Sequence, residues 1–176
     1  MPAGEARALL NRACAELGLI SDPPYPGEGA LALVRDRDGA AVEVLYPPFG
    51  DDWSPTEFDL LELAAGYRPH ALLRTSGLTR ARHAALLQAR LLIALAERAD
   101  DALIGLDGAL VGADARRLDV PREVHRAAAR AFVADRPGVV IEVPYEVWNG
   151  EWSLSHVVDA EFLRHWVQDA AFYLPN

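Results

Sequence analysis

A single cysteine, Cys14, is all the chain has, which excludes an intrachain disulfide and any cysteine-based zinc cluster. Long apolar runs are also missing: none approaches the ~20 residues that a membrane-crossing helix needs. The opening Met-Pro-Ala-Gly-Glu-Ala-Arg has no basic segment followed by an apolar one. Both absences lead to the expectation of a cytoplasmic protein without a membrane partner. Bases are scarce beside acids, with 17 Lys and Arg against 26 Asp and Glu and a net charge of -9. That balance argues against nucleic acid, whose phosphates draw on a positive surface. It admits the reverse, an acidic face meeting a basic protein, although plain solubility accounts for the same charge.

Cofactor and metal signatures are absent as well. Gly105-Leu106-Asp107-Gly108 is followed by no Lys-Ser/Thr pair and lacks the spacing of a dinucleotide loop. His70, His83 and His125 stand alone in the sequence, and no histidine pair has metal-ligand spacing. The acidic pairs Asp51-Asp52 and Asp100-Asp101 are explained as loops and helix ends. No cofactor and no metal is expected.

What is present is a globular composition, 51% hydrophobic and 24% charged over 176 residues, read as one domain spanning 1–176. Ala6, Leu9, Leu10, Ala13, Cys14 and Leu17 give a helix from Glu5 to Leu17 with Gly18 placed to end it. Residues 31–46 read as a hairpin closed by a two-residue turn at Asp38-Gly39, pairing Leu33 with Val44 and Leu31 with Tyr46. Ser54, Pro55 and Glu57 fit a capping box, and Trp53 with Phe58 fits a hydrophobic staple, at the start of a helix running to Ala65. A strand is expected over His70 to Thr75, stopped by Ser76-Gly77.

The longest helix follows from Thr79. Ala85, Leu86, Ala89, Leu92, Ile93 and Ala96 form its apolar stripe, with His83, Arg90 and Glu97 opposite. Ala102 to Leu106 reads as a buried strand. Val124, Ala127, Ala128, Ala131 and Phe132 mark the next helix, capped by Asp119 and ended at Pro137-Gly138. Residues 139–158 form a second hairpin around Asn149-Gly150. A two-residue loop there sets Ile141 against Val158, Val143 against His156 and Tyr145 against Leu154. Asp159 then caps a last helix bearing Phe162, Leu163, Trp166 and Val167. Helices and strands mix without strict alternation, so the expected class is α+β, with a single mixed or largely antiparallel sheet under the helices.

Two groupings bear on function. In the expected register the polar face of the second hairpin gathers Glu142, Glu146, Trp148 and Glu151, carboxylates around an aromatic anchor, as at surfaces that receive a basic partner. The alternative is a small hydrolase-like or ligand-binding site. It would use His156, oriented by Asp159 and joined by Asp107, though no serine or cysteine stands beside them as a nucleophile. Leu103 to Leu110 is similar to the Asp-x-Asp-Gly-Thr-Leu motif of haloacid-dehalogenase-type phosphatases. Gly105 stands where that family's nucleophile belongs and Ala109 replaces its Thr, which removes the chemistry.

Gly66-Tyr67-Arg68-Pro69, the stretch from Ala102 to Leu110, and His156 to Trp166 together resemble an uncharacterised family of small actinobacterial α+β proteins, similar in style to immunity proteins of polymorphic-toxin systems. The resemblance implies a compact non-enzymatic binder. Its acidic and aromatic surface groups would occlude a toxin domain, and it brings no catalytic set with it.

Overall fold

The computed structural model describes residues 1–23, 29–46, 55–78, 82–106, 109–111, 122–146, 152–170 and 172–174. Helix α1 (Ala3–Leu17) ends where Gly18 takes the left-handed conformation, φ 65°. Strands β1 (Ile20–Asp22), β2 (Ala30–Arg35), β3 (Ala41–Leu45) and β4 (Arg74–Gly77) form an antiparallel sheet in that order. Helix α2 (Pro55–Ala65) separates β3 from β4, and helix α3 (Arg82–Ala96) follows β4. The second antiparallel sheet has the order β5-β7-β6, from β5 (Ile104–Gly105), β6 (Val140–Glu146) and β7 (Trp152–Val158). Helix α4 (Arg122–Ala134) precedes β6, and α5 (Ala160–Trp166) follows β7.

The class is α+β as expected, but the described strands make two sheets, not one. The reason lies in α3. Its expected stripe covers one side, where Ala85 and Ala89 join a core with Ile104, Val158, Phe162 and Trp166. Leu87, Leu91, Ala94 and Leu95 are buried on another side, against Leu10, Val34, Val42 and Val44. A helix apolar over so much of its circumference is covered from two directions, so each sheet builds its own core on it. His83, Arg90 and Glu97 are exposed, as the pattern required.

Both hairpin registers differ from expectation by one residue. In the first, Ala32 pairs with Val44, Val34 with Val42 and Arg35 with Ala41, leaving 36–40 as the turn. Asp36 closes it: Oδ1 accepts from the amides of Asp38 (3.0 Å) and Ala40 (2.9 Å), while Gly39 sits at φ 89°. The longer turn exists because a carboxylate satisfies its amides. In the second, Val140 pairs with Val158, Glu142 with His156 and Pro144 with Leu154. The premise of one apolar face fails there. Residues 155–158 are buried on both faces of β7. Val143 and Val157 pack under Leu61 of α2, and Val158 turns to the α3 and α5 side.

Three smaller expectations also shift. β4 begins at Arg74 and includes Ser76 and Gly77, because β3 pairs through Val42 with Gly77. β5 is two residues long. On α4 the buried residue is Ala129, while Val124, Ala127, Ala128 and Ala131 are exposed; a run of alanines carries too little periodicity to say which side faces inward. Ser54 of the capping box, Trp53 of the hydrophobic staple, the cap Asp119, and Asn149-Gly150 lie outside the described residues.

Candidate functional site

The β6–β7 hairpin carries most of the predicted site residues. Glu142 is in mid-strand, and its side chain meets α4. Arg130 donates from Nε to Oε1 (2.7 Å) and from Nη2 to Oε2 (2.8 Å), and Arg126 adds a bond to Oε2 at 3.3 Å. These bonds, those of Arg130 first, hold the Glu142 carboxyl below the usual carboxylate range against the opposing effect of burial. The sequence reading placed Glu142 on an open acidic face; the structure places it under two arginines as the anchor of α4. Glu146 closes β6 opposite Trp152. The side chain of Glu146, with Trp148 and Glu151, lies outside the described residues.

His156 stands opposite Glu142 in the ladder and is 2% exposed. Its Nδ1 has no partner among the described residues. Burial pushes its pKa below the ordinary value; Glu142 opposes that push and Arg130 adds to it. Asp159 does not turn toward it. Its Oδ1 accepts from the Phe162 amide at 2.8 Å and caps α5, the structural job its place in the sequence suggested. His156 and Asp159 are therefore not brought together as a base and its orienting carboxylate, and Asp107 lies outside the described residues.

The fold also makes a site that the sequence did not announce. An open cleft of about 1330 Å³ lies between α1, the segment leading into β4, the C-terminal half of α3 and the residues leading into β5. Leu9, Leu92, Leu95 and Leu103 give it an apolar floor, and Arg12, Arg74, Asp100 and Asp101 line its rim. Gln88 secures one wall, donating from Nε2 to Thr75 O (3.0 Å) and Oγ1 (3.1 Å). His70 also lines the cleft. Segments so far apart in the chain give no local signal of a shared cavity.

One trio could reach a common cation: ligand atoms of Asp36, Asp38 and His83 lie within 4.8 Å of one another. The sequence reading left His83 isolated because the contact joins a hairpin turn to a distant helix. His83 Nε2 stands 2.7 Å from Asp36 Oδ2, while Oδ1 holds the turn amides. Those amides and His83 hold the Asp36 carboxyl low although burial pushes it up. The set is complete as a clasp between the first hairpin and α3.

Among the described residues no helix is long and apolar enough to cross a membrane. The profile of one protein family, a family of unknown function (DUF6368), matches residues 17–176, and the chain belongs to that family. No curated protein and no solved structure matches it.

Proposed function

We propose that this DUF6368 member is a non-enzymatic protein-binding domain, in its most concrete form an immunity-type inhibitor that meets a basic bacterial toxin domain in the cytoplasm. The charge inventory carries the reading. At least seven described arginines already hold carboxylates, among them Arg35, Arg68, Arg98 and Arg164. An excess of nine carboxylates would remain even if every base were paired. Such a surface attracts a basic partner over a distance and speeds encounter. β6 is an outer strand of its sheet, and Glu146 ends it, with Trp148 and Glu151 following in the sequence.

The test is coexpression with the product of the neighbouring gene. The expected result is relief of that product's toxicity and a stable complex, weakened by salt and by the triple change Glu146→Arg, Trp148→Ala, Glu151→Arg. A harmless neighbour that forms no complex overturns the reading.

The cleft favours a second reading, a ligand-binding domain. Its apolar floor and charged rim suit an amphipathic molecule. An apolar anionic dye whose fluorescence rises with the native chain, and falls again with Leu92→Arg, would support that reading over the first.

A further inference from the structure

Helix α4 is fastened differently from its neighbours. α1 buries five residues and α3 eight, whereas α4 buries Ala129 alone among its described side chains. Its other apolar contacts are the partly buried Phe132 and Val133, packed against the core of α3 and α5, and polar bonds supplement them. Arg126 and Arg130 grip Glu142 on β6, and beyond the helix Arg136 reaches Asp169 at 2.7 Å. The half-buried Phe132 meets the edge of Trp166 at 6.0 Å. Beneath the helix Ala129 shares a cluster with Val140 and Val158, so α4 covers one face of the β5-β7-β6 sheet.

His156 lies on that same covered face, beside the grip. Among the described residues the charged groups set toward it are Glu142 from β6 and Arg130 from α4, and Arg126 shares the Glu142 carboxylate. β5 offers Ile104 and Gly105, neither of which titrates. His125 of α4 also has its Nε2 buried without a partner among the described residues. As a neutral ring His156 is tolerated. As an imidazolium it gives Glu142 a cation from the strand side and sets a like charge beside Arg130, while lacking water.

We propose that α4 is an acid-released latch: a proton taken up by His156 draws Glu142 away from Arg126 and Arg130 and frees α4 from the sheet it covers. Opening gives the imidazolium water, so proton uptake and helix release drive each other. Burial, which favours the neutral ring in the closed state, acts in the same direction.

Two thiols in one molecule test this. Ala129→Cys places a reporter under α4, and the native Cys14, 3% exposed in the other core, reports global opening. Labelling with 4,4′-dithiodipyridine is followed between about pH 7.5 and about pH 5.5, where an imidazole changes charge. Rates are normalised to Ala127→Cys on the exposed side of α4. The expected result is labelling of the Ala129→Cys thiol that rises about tenfold with acid while Cys14 stays protected. His156→Leu removes the rise. Equal acceleration at Cys14, a flat pH profile, or a rise that survives His156→Leu each overturns the latch. If His156→Leu does not fold, Glu142→Gln decides: it must raise labelling under α4 already at about pH 7.5, and unchanged protection overturns the proposal.

Discussion

At Gly138 a single missing methyl group holds a junction together. The residue sits at φ 95°, and a Cβ there would stand 2.6 Å from Asp159 Oδ1 and 2.7 Å from Phe162 Cα, inside the cap that starts α5. Gly138→Ala therefore combines left-handed strain with a clash against backbone, and is expected to cost about 3 kcal/mol or more in urea unfolding. Gly18 has φ 65° with open space around it, so Gly18→Ala should cost only about 1 kcal/mol. Equal losses at the two sites would show that the contact with α5 is not what constrains Gly138. A second prediction concerns acid. His156 has a folded pKa below its ordinary 6.5, so the unfolded chain takes up its proton first. Its stabilising contribution is whole above 6.5 and is lost as pH falls toward the folded value. Glu142, also depressed, contributes above its ordinary 4.5 and loses that contribution at lower pH still. Unfolding temperature should therefore fall in two stages on acidification, the first absent in His156→Leu; a midpoint that rises on acidification below 6.5 would contradict this assignment. Residues of this kind were unequally legible. Asp159 announced its cap by standing three places before Phe162. Gly138 was readable only as a helix terminator, because the return of the chain onto it is a tertiary fact.

Among the elements, α3 differs most from its sequence reading. Its period is plain in the sequence, but the stripe through Leu92 and Ile93 is only part of its apolar surface, and Leu91, fully buried, faces the other core. Leu91→Ala should cost about 2–5 kcal/mol, the range for a leucine truncated inside a packed core. Leu92→Ala should cost clearly less, since Leu92 lines the open cleft and water can enter the space left. Chemical denaturation of the two variants compares them directly, and the reverse order would mean that the cleft is closed in solution. The helices were read well because caps and prolines are local signals: Pro55 starts α2 and Gly66, at φ 81°, ends it. The hairpin registers were not. Asp-Gly and Asn-Gly dipeptides suggest the tightest loop, and nothing local reveals that Asp36 will spend its carboxylate on a longer turn. Nor does the strand show that β7 will be covered on both faces.

Over the whole molecule every one of the 17 bases is arginine, and many are spent on exposed ion pairs such as Arg68 with Asp59 at 2.9 Å. Pairs of this kind contribute roughly 0–1 kcal/mol each, so stability rests on the two main cores and on α3, which belongs to both. Cys14 reports one core and Trp166 the other. Thiol protection at Cys14 and the near-ultraviolet tryptophan dichroism of a variant that keeps Trp166 as its one tryptophan should thus be lost at the same urea concentration, and separated midpoints would show that the cores melt independently. The candidate site is the least legible part, since Arg126 and Arg130 reach Glu142 only after α4 folds back on the sheet, and the cleft draws on segments far apart in the chain. A helix owned by two cores also limits how such a chain can diversify. Neither half keeps its wall if cut before or after α3, so exchange of segments between relatives would succeed only where the donor α3 fits both recipient faces. Inheritance should then preserve the two faces of that helix as a matched pair, leaving α4 and the outer hairpin as the parts free to be traded.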